Sequence, residues 1–531
     1  MDGEDAAQLA GPPLTTIAPV ADLLAAGLAT RPEADAVVSR DIRWTFRALD
    51  TASDRLAAAY AALGLRPGDR IASLMPNRGA VLVHYLACLK GRFVAVPLNY
   101  RYTAAEIDHA LERCGAAAIL HHIEREDDMR ASATAMALPL GHILYGYEEG
   151  VTGPRFEEMI ETARDWTPPP HREDDPAFIL FTSGSTGPAK GVTHTYASMS
   201  AMCASTAAGF ELTADDIMLP ASSLSHLGAL LFSLAALSVG ARVVVARHFA
   251  AREILTMLRR ERPTVLCILP VALFGVVRDP DVRADDFTSL RLLRSGSDKV
   301  PKELGLAVAD LAGLAIDEGL GCSEIGNVTL NPPSGRIVMG SIGTPVPGVT
   351  VRVAGADGIA PPPGEDGQLL VRAPGLMRGY WGDPAATATV VRGGWFETGD
   401  LVRYDSDGYL WFRGRKKQII VHDGSNIFPQ EVEEALLAHP AVESAGVIGV
   451  HDVLHGENVR AYIVIRRGAN ASADDLIAFA YERVGYKAPE EIAFLEAMPL
   501  NPTGKVDRTA LKALAAARHV AETGERLPTG R

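Results

Sequence analysis

Cysteine is scarce and unpaired in this sequence. Cys88, Cys114, Cys203, Cys267 and Cys322 are spread along 531 positions with no CxxC pair. That spacing argues against a disulfide framework or a zinc-thiolate site, and reduced thiols are expected. Excess positive charge is also missing: 51 Lys and Arg stand against 65 Asp and Glu, for a net charge of −14. No global positive field draws in a nucleic-acid backbone, so any anion site must be built locally, residue by residue. Long apolar runs are absent as well. The longest, 229–246, is interrupted by Ser238, Gly240 and Arg242, and reads as a buried helix followed by a Val-rich strand rather than a membrane span. The opening MDGEDAAQLAGPP is acidic and lacks the basic region and apolar core of a signal peptide, so a cytoplasmic location is expected. Internal repeats are lacking, and the one biased segment is a polar tail after about Ala516.

What is present is an ordinary soluble composition, 47% hydrophobic and 22% charged. The length exceeds what one hydrophobic core serves, so at least two domains are expected. Residues 20–165 alternate Ala/Leu-rich helical patterns with short apolar strands, as at 93–96 and 117–120, the signature of a doubly wound α/β layer. A Pro-rich connector, TPPPH at 167–171, precedes a second α/β stretch with strands expected at 178–182, 241–246 and 265–269. From 340 to about 412, short Val/Leu runs separated by Gly and Pro turns predict a small antiparallel sheet or barrel. The basic cluster Arg415-Lys416-Lys417 then opens a new α/β pattern, which places a domain boundary there and divides the chain into 1–415 and 416–531.

The sharpest local signal is TSGSTGPAKG, residues 182–191, directly after the apolar run Phe178-Ile179-Leu180-Phe181. Gly184 and Gly187 let successive backbone N–H groups face one anion. The hydroxyls of Thr182, Ser183, Ser185 and Thr186 add donors, and Lys190 adds a positive charge. The loop is not a Walker A motif, because the spacing to Lys190 is wrong. Nor is Gly319-Leu320-Gly321 a dinucleotide fingerprint, since Glu324 stands where a glycine is required. His121-His122 has no partner at metal-ligand spacing and reads as structural or exposed.

At this loop the sequence resembles the adenylate-forming superfamily of acyl-CoA synthetases, aryl-CoA ligases, luciferase-like enzymes and peptide-synthetase adenylation domains. It departs from the superfamily's loop pattern at Ala189, where proline is usual. Further motifs recur in the same order: LGCSE at 320–324, WFETGD at 395–400, GRKKQII at 414–420 and NPTGK at 501–505. The resemblance implies a large N-terminal domain of two α/β layers plus a small β subdomain, and a smaller mobile C-terminal α+β domain.

The resemblance also implies roles. Glu324 holds magnesium, and Ser323 hydrogen-bonds the α-phosphate. Leu320 stands where an aromatic normally packs on adenine, with Gly319, Gly321, Cys322 and Ser295-Gly296-Ser297 forming the adenine and acyl walls. Asp400 and Arg415 hold the ribose, and His226 lines the acyl site beside Thr182. Lys505 is the adenylation lysine, Lys417 the hinge, and Gly424 the glycine of the pantetheine tunnel. Small residues at Gly228, Ser297, Gly319 and Gly321 point to a roomy pocket.

The implied reaction joins a small-molecule carboxylic acid, ATP with Mg²⁺, and coenzyme A. No carrier-protein sequence follows Lys505, which favours a freely diffusing thiol over the alternative, an acyl-AMP ligase serving a separate carrier protein. Amino-acid activation is disfavoured because Leu227 occupies the place of the aspartate that binds an α-ammonium. A non-enzymatic nucleotide binder would have to lack Lys505, Glu324 or Asp400, and all three are present. A luciferase-type oxygenase is the remaining, less favoured reading.

Overall fold

The protein is described by a computed structural model covering residues 7–40, 42–182, 189–296, 300–355, 357–423, 425–452, 455–501 and 505–523. Ser183, Gly184, Ser185, Thr186, Gly187, Ser297 and Gly424 lie outside the described residues.

Two mostly parallel sheets, each of seven strands among the described residues, form the centre of the large domain. One runs in the order Gly379–Tyr380, Lys190–Thr195, Pro176–Thr182, Val94–Pro97, Arg70–Leu74, Ala118–His122 and His142–Tyr145. The other runs Ile316–Gly319, Leu292–Gly296, Val265–Ile268, Ile217–Ala221, Arg242–Val245, Asp35–Ser39 and Arg43–Thr45. Strands such as Val265–Ile268 are buried throughout, as parallel strands covered on both faces require. The apolar run at 229–246 resolves into the helix Leu227–Ser238 and the strand Arg242–Val245, as its interruptions predict.

The two layers do not follow chain order. Asp35–Ser39 joins the sheet built mainly from the second α/β stretch, and Pro176–Thr182 joins the sheet of the first. Periodicity marks strands but cannot name their partners, because pairing is a long-range choice. The Gly/Pro-punctuated region forms an antiparallel sheet of Thr350–Ala354, Asp366–Arg372, Trp395–Tyr404, Val391–Arg392 and Leu410–Arg415, as expected. It also recruits an N-terminal strand, Ala7–Ala10.

The smaller C-terminal domain carries an antiparallel sheet of Ser425–Ile427, Ile420–His422, Gly456–Ile465 and Val442–Asp452, with Glu491–Phe494 added in parallel. Helices Pro429–Leu437 and Ala473–Val484 cover it. Residues 517–523 of the segment after Ala516 continue the helix Arg508–Thr523. Leu511 and Ala515 of that helix are buried beside Ile448 and Tyr462. Among the described residues no helix is long and apolar enough to cross a membrane. His121 and His122 are both buried, in line with a structural role.

Candidate active site

A cleft of about 2870 Å³ opens between the two domains. Thr182, Lys190, His226, Gly319, Leu320, Gly321, Cys322, Ser323, Glu324, Asp400, Arg415, Lys417 and Lys505 all line it. Residues from six separate stretches of sequence are thereby gathered in one place.

One wall grows from a hairpin. Thr182 pairs with Lys190 across the antiparallel strands Pro176–Thr182 and Lys190–Thr195, at the two ends of the glycine-rich segment. The Lys190 ammonium lies 5.0 Å from the centre of the Tyr380 ring. The Tyr380 hydroxyl donates to Glu324 Oε1 at 3.0 Å, and burial together with the neighbouring Glu324 carboxylate pushes the phenol pKa up. The backbone at Glu324 is held separately, its carbonyl accepting from Met377 N–H at 2.7 Å.

His194 makes a further link. Its Nε2 lies 2.7 Å from the Ser323 carbonyl oxygen, and Nδ1 is 3.3 Å from Ser198 Oγ. A carbonyl only accepts, so Nε2 carries the proton, and burial holds the ring neutral with its pKa lowered to about 4. The strand Lys190–Thr195 is therefore tied to the segment bearing Ser323 and Glu324. Tyr380 and His194 were not foreseen from the sequence. Strand alternation places His194 on the same face as Lys190, a usable signal. Tyr380 offers only the Gly379-Tyr380-Trp381 cluster, whose neighbours depend on the fold.

The second wall holds Asp400, which is 2% exposed at the carboxylate-bearing end of WFETGD. Gly399 precedes it at φ +74°, a left-handed conformation that glycine adopts without strain. Arg415 sits opposite Asp400 in the register of Trp395–Tyr404 with Leu410–Arg415. Its Nε comes within 2.9 Å of Asp400 Oδ1, but off the line of a hydrogen bond, so this buried oxygen keeps an unfilled acceptor. Burial raises the Asp400 pKa, while the charges of Arg415 and Lys505 act against that rise.

Lys505 comes from the C-terminal domain. Its turn is closed by Asn501 N–H to the Lys505 carbonyl at 2.8 Å and by Lys505 N–H to Asn501 Oδ1 at 3.0 Å. The Lys505 charge acts on Asp400 and also on His226, across the cleft. His226 precedes the helix Leu227–Ser238 as its N-cap, with Nε2 3.4 Å from Asn99 Nδ2. Burial first, then the Lys505 and Arg101 charges, lower its pKa to about 4, so the ring is neutral near pH 7.

Gly319, Gly321 and Ser295 line the cleft as expected, and packing also explains why they are small. A Cβ at Gly319 would lie 2.4 Å from both Arg294 Nη2 and the Thr329 carbonyl oxygen. Arg294 is there buried against Asp317, with Nη1 to Oδ2 at 3.0 Å. A Cβ at Gly321 would lie 2.8 Å from the Gly326 carbonyl oxygen. These glycines permit close backbone and side-chain approach rather than pocket room. Ser295 is buried and donates to the Ile268 carbonyl at 2.9 Å, so its hydroxyl serves the sheet. Gly228 alone of the described small residues meets the expectation of room, with its nearest neighbour, the Phe232 ring, at 3.8 Å. Leu320 lines the cleft while packing partly on the large core.

The sequence profile of the AMP-binding enzyme family matches residues 24–381, and that of the AMP-binding enzyme C-terminal domain matches residues 431–505. The chain belongs to the AMP-binding enzyme family. It is 36% identical to a feruloyl-CoA synthase of an Amycolatopsis species over 481 residues, covering 90% of this chain and 94% of the relative. It is 33% identical over 501 residues to a fatty acid–[acyl-carrier-protein] ligase of Streptomyces coeruleorubidus, covering 91% of this chain and 93% of that one. The ATP-bound crystal structure of MatB from Rhodopseudomonas palustris superposes with a TM-score of 0.85 at 27% identity, covering 93% of this chain and 98% of that chain. Apo MatB gives 0.75.

Proposed function

We propose that this protein activates a carboxylic acid with ATP, giving acyl-AMP and pyrophosphate, and transfers the acyl group to coenzyme A. The observation that carries this reading is the placement of Lys505 in the cleft, where its charge acts on both His226 and Asp400. A cation there faces the acid side and the ribose side of the same site.

The residues fit the nucleotide. Buried Asp400 Oδ1, ion-paired to Arg415 but without a well-aligned hydrogen bond, suits a ribose hydroxyl. Arg415 flanks it. Thr182 and Lys190 bracket the glycine-rich segment that would take the phosphates. Glu324 offers one hard carboxylate, the kind of protein ligand Mg²⁺ takes beside ATP phosphates, and Tyr380 and His194 fix where that segment sits. Bound Mg²⁺ would neutralise phosphate charge.

In the first half-reaction an acid oxygen attacks the α-phosphorus, a P–O bond to the acyl group forms, and the bond to pyrophosphate breaks. Lys505 stabilises the charge spread over carboxylate, α-phosphate and leaving group. In the second, the thiol sulfur attacks the acyl carbon, AMP leaves, and the thiol proton is released. The acyl end is lined by Leu227, Leu231, Phe232, Ile268 and Val271, which favours an apolar acyl group. We place the domain boundary between residues 415 and 416, with Lys417 as the pivot.

A panel of aryl, arylpropenoic and straight-chain acids assayed for AMP release, with and without CoA, tests the reading. CoA-dependent thioester from at least one apolar acid is expected. Acyl-AMP that reacts only with an acyl-carrier protein would favour the second reading, which the Streptomyces relative's printed activity motivates.

Glu324→Gln should raise the Mg²⁺ concentration needed for half-maximal adenylation about tenfold, as an anionic ligand becomes neutral. An unchanged magnesium titration removes Glu324 from that role. Tyr380→Phe keeps the ring over Lys190 and loses the hydroxyl that positions Glu324. A hydrogen bond to a charged group is worth about 1.5–3 kcal/mol when buried. Being partly exposed, this one is expected to cost about tenfold in adenylation kcat/KM. Wild-type kinetics would show that Met377 and His194 suffice to hold the acid.

A further inference from the structure

The C-terminal domain gathers a second group of ligand-type side chains where strand Ile420–His422 meets the start of strand Gly456–Ile465. His422, Asp423 and His455 bring ligand atoms within 4.8 Å of one another. The Asp423 carboxylate lies between the imidazoles, with Oδ1 2.9 Å from His455 Nδ1 and Oδ2 3.7 Å from His422 Nε2. The two rings are nearly parallel, 5.1 Å apart at 21°. Glu490 stands beside them, its Oε1 3.4 Å from His422 Nε2.

The surroundings of these groups point to a ligand. His422 Nδ1 lies 2.8 Å from the Glu457 carbonyl oxygen, so Nδ1 bears a proton and Nε2 is the nitrogen that faces two carboxylates. Lone pair against anions is unfavourable unless a proton or a cation lies between them. A metal-bound histidine takes this arrangement, one ring nitrogen on the ion and the other donating to a carbonyl. Glu490 is anchored in the same manner, its Oε2 accepting from Val459 N–H at 2.5 Å. Asp423 is held at φ +48°, with its N–H donating to the His455 carbonyl at 3.0 Å, so its carboxylate is aimed by a strained backbone.

We propose that His422, Asp423 and His455, with Glu490 beside them, form a site for one divalent transition-metal ion of the zinc class. Two imidazoles and carboxylate oxygens at this spacing are borderline donors that suit zinc better than Mg²⁺ or Ca²⁺. An ion there replaces the direct His455–Asp423 contact and ties Asp423, the residue before Gly424, to His455. The site stands independently of the reaction proposed above.

The test uses the tag-free, metal-stripped full chain titrated with zinc chloride against a fluorescent zinc chelator, with proton release followed in parallel. One equivalent of zinc bound in competition with a micromolar chelator, accompanied by proton release, is expected. Loss of an outer-shell partner typically weakens metal binding roughly 10–100-fold. His422→Ala and His455→Ala each remove a ligand and should weaken it by at least that much. Asp423→Asn, which keeps size and shape, should weaken it too, and His171→Ala in the large domain should not. Circular dichroism establishes that each variant is folded, and His455→Ala, at a partly exposed side chain, decides the matter if His422→Ala is not. Zinc binding that survives both histidine substitutions, or no binding beyond that of the variants, overturns the site.

Discussion

Replacing Lys505 with alanine should lower the rate of acyl-AMP formation on the order of 10²–10³-fold, the usual loss when one preorganised charge donor is removed from a transition state. The ammonium is contributed by a turn closed through Asn501, so the backbone that presents it survives the substitution. Lys505 shares the cleft with His226 and Asp400, and its charge acts on both. Because the lost interaction strengthens as charge develops, the fall should appear in kcat more than in the KM for ATP. Supplied with synthetic acyl-AMP, the variant should still make thioester at close to the wild-type rate. Rapid-quench measurement of each half-reaction separates the two, and an equal fall in both would defeat the role assigned to Lys505.

Lys417→Pro is the complementary experiment, aimed at the second half-reaction. A lysine lodged among the phosphates and a thiol approaching the same carbonyl compete for space, so the two steps need two placements of the C-terminal domain. Lys417 is exposed in the single 3-10 turn Lys416–Gln418, between the last strand of the antiparallel subdomain and the first strand of the C-terminal sheet. Just beyond it, Gln430 bonds Gln418 at 3.0 Å, and Phe428 packs close on Gly414. The backbone is thus held on both sides of a short exposed turn, where a hinge can act.

Proline suits the φ of that turn, and the N–H it removes lies at the start of the turn, where no intrahelical partner exists. The arrangement with Lys505 in the cleft is therefore retained, and adenylation should stay within about threefold of wild type. A backbone that proline cannot follow costs about 3 kcal/mol, enough to lower the alternate placement, and thioester formation from preformed acyl-AMP, on the order of 10²-fold. A wild-type rate in that second step would show that the pivot lies elsewhere or that no rotation is needed.

How far the sequence reached can be judged from individual residues. Asp400 was legible because its turn needs Gly399 and its motif is compact, yet the unfilled acceptor on Oδ1 was not. That depends on the angle at which Arg415 crosses from the neighbouring strand. Gly319 and Gly321 were visible as small residues, but the reason for their smallness lay in Arg294, Thr329 and Gly326, which the chain brings against them only when folded. Tyr380 was passed over because its partners, Lys190 and Glu324, belong to different stretches of the chain. The strand at 178–182 was found and its sheet was not, while Asp35–Ser39 was not marked, and both pair across the order in which they occur.

The sequence by itself determined the chemistry available: a hydroxyl- and glycine-rich turn after a strand, a carboxylate at 324, another at 400 and a lysine at 505. Such motifs are local, and local sequence governs turns, strand alternation and the donors a short loop can offer. Tertiary structure decided which of these groups meet. It set Lys505 of one domain facing His226 and Asp400 of the other, bridged Lys190 to Glu324 through Tyr380, and joined His194 to Ser323. The physical reason is that sheet pairing and domain docking are settled by burial summed over the whole chain, which no short segment contains.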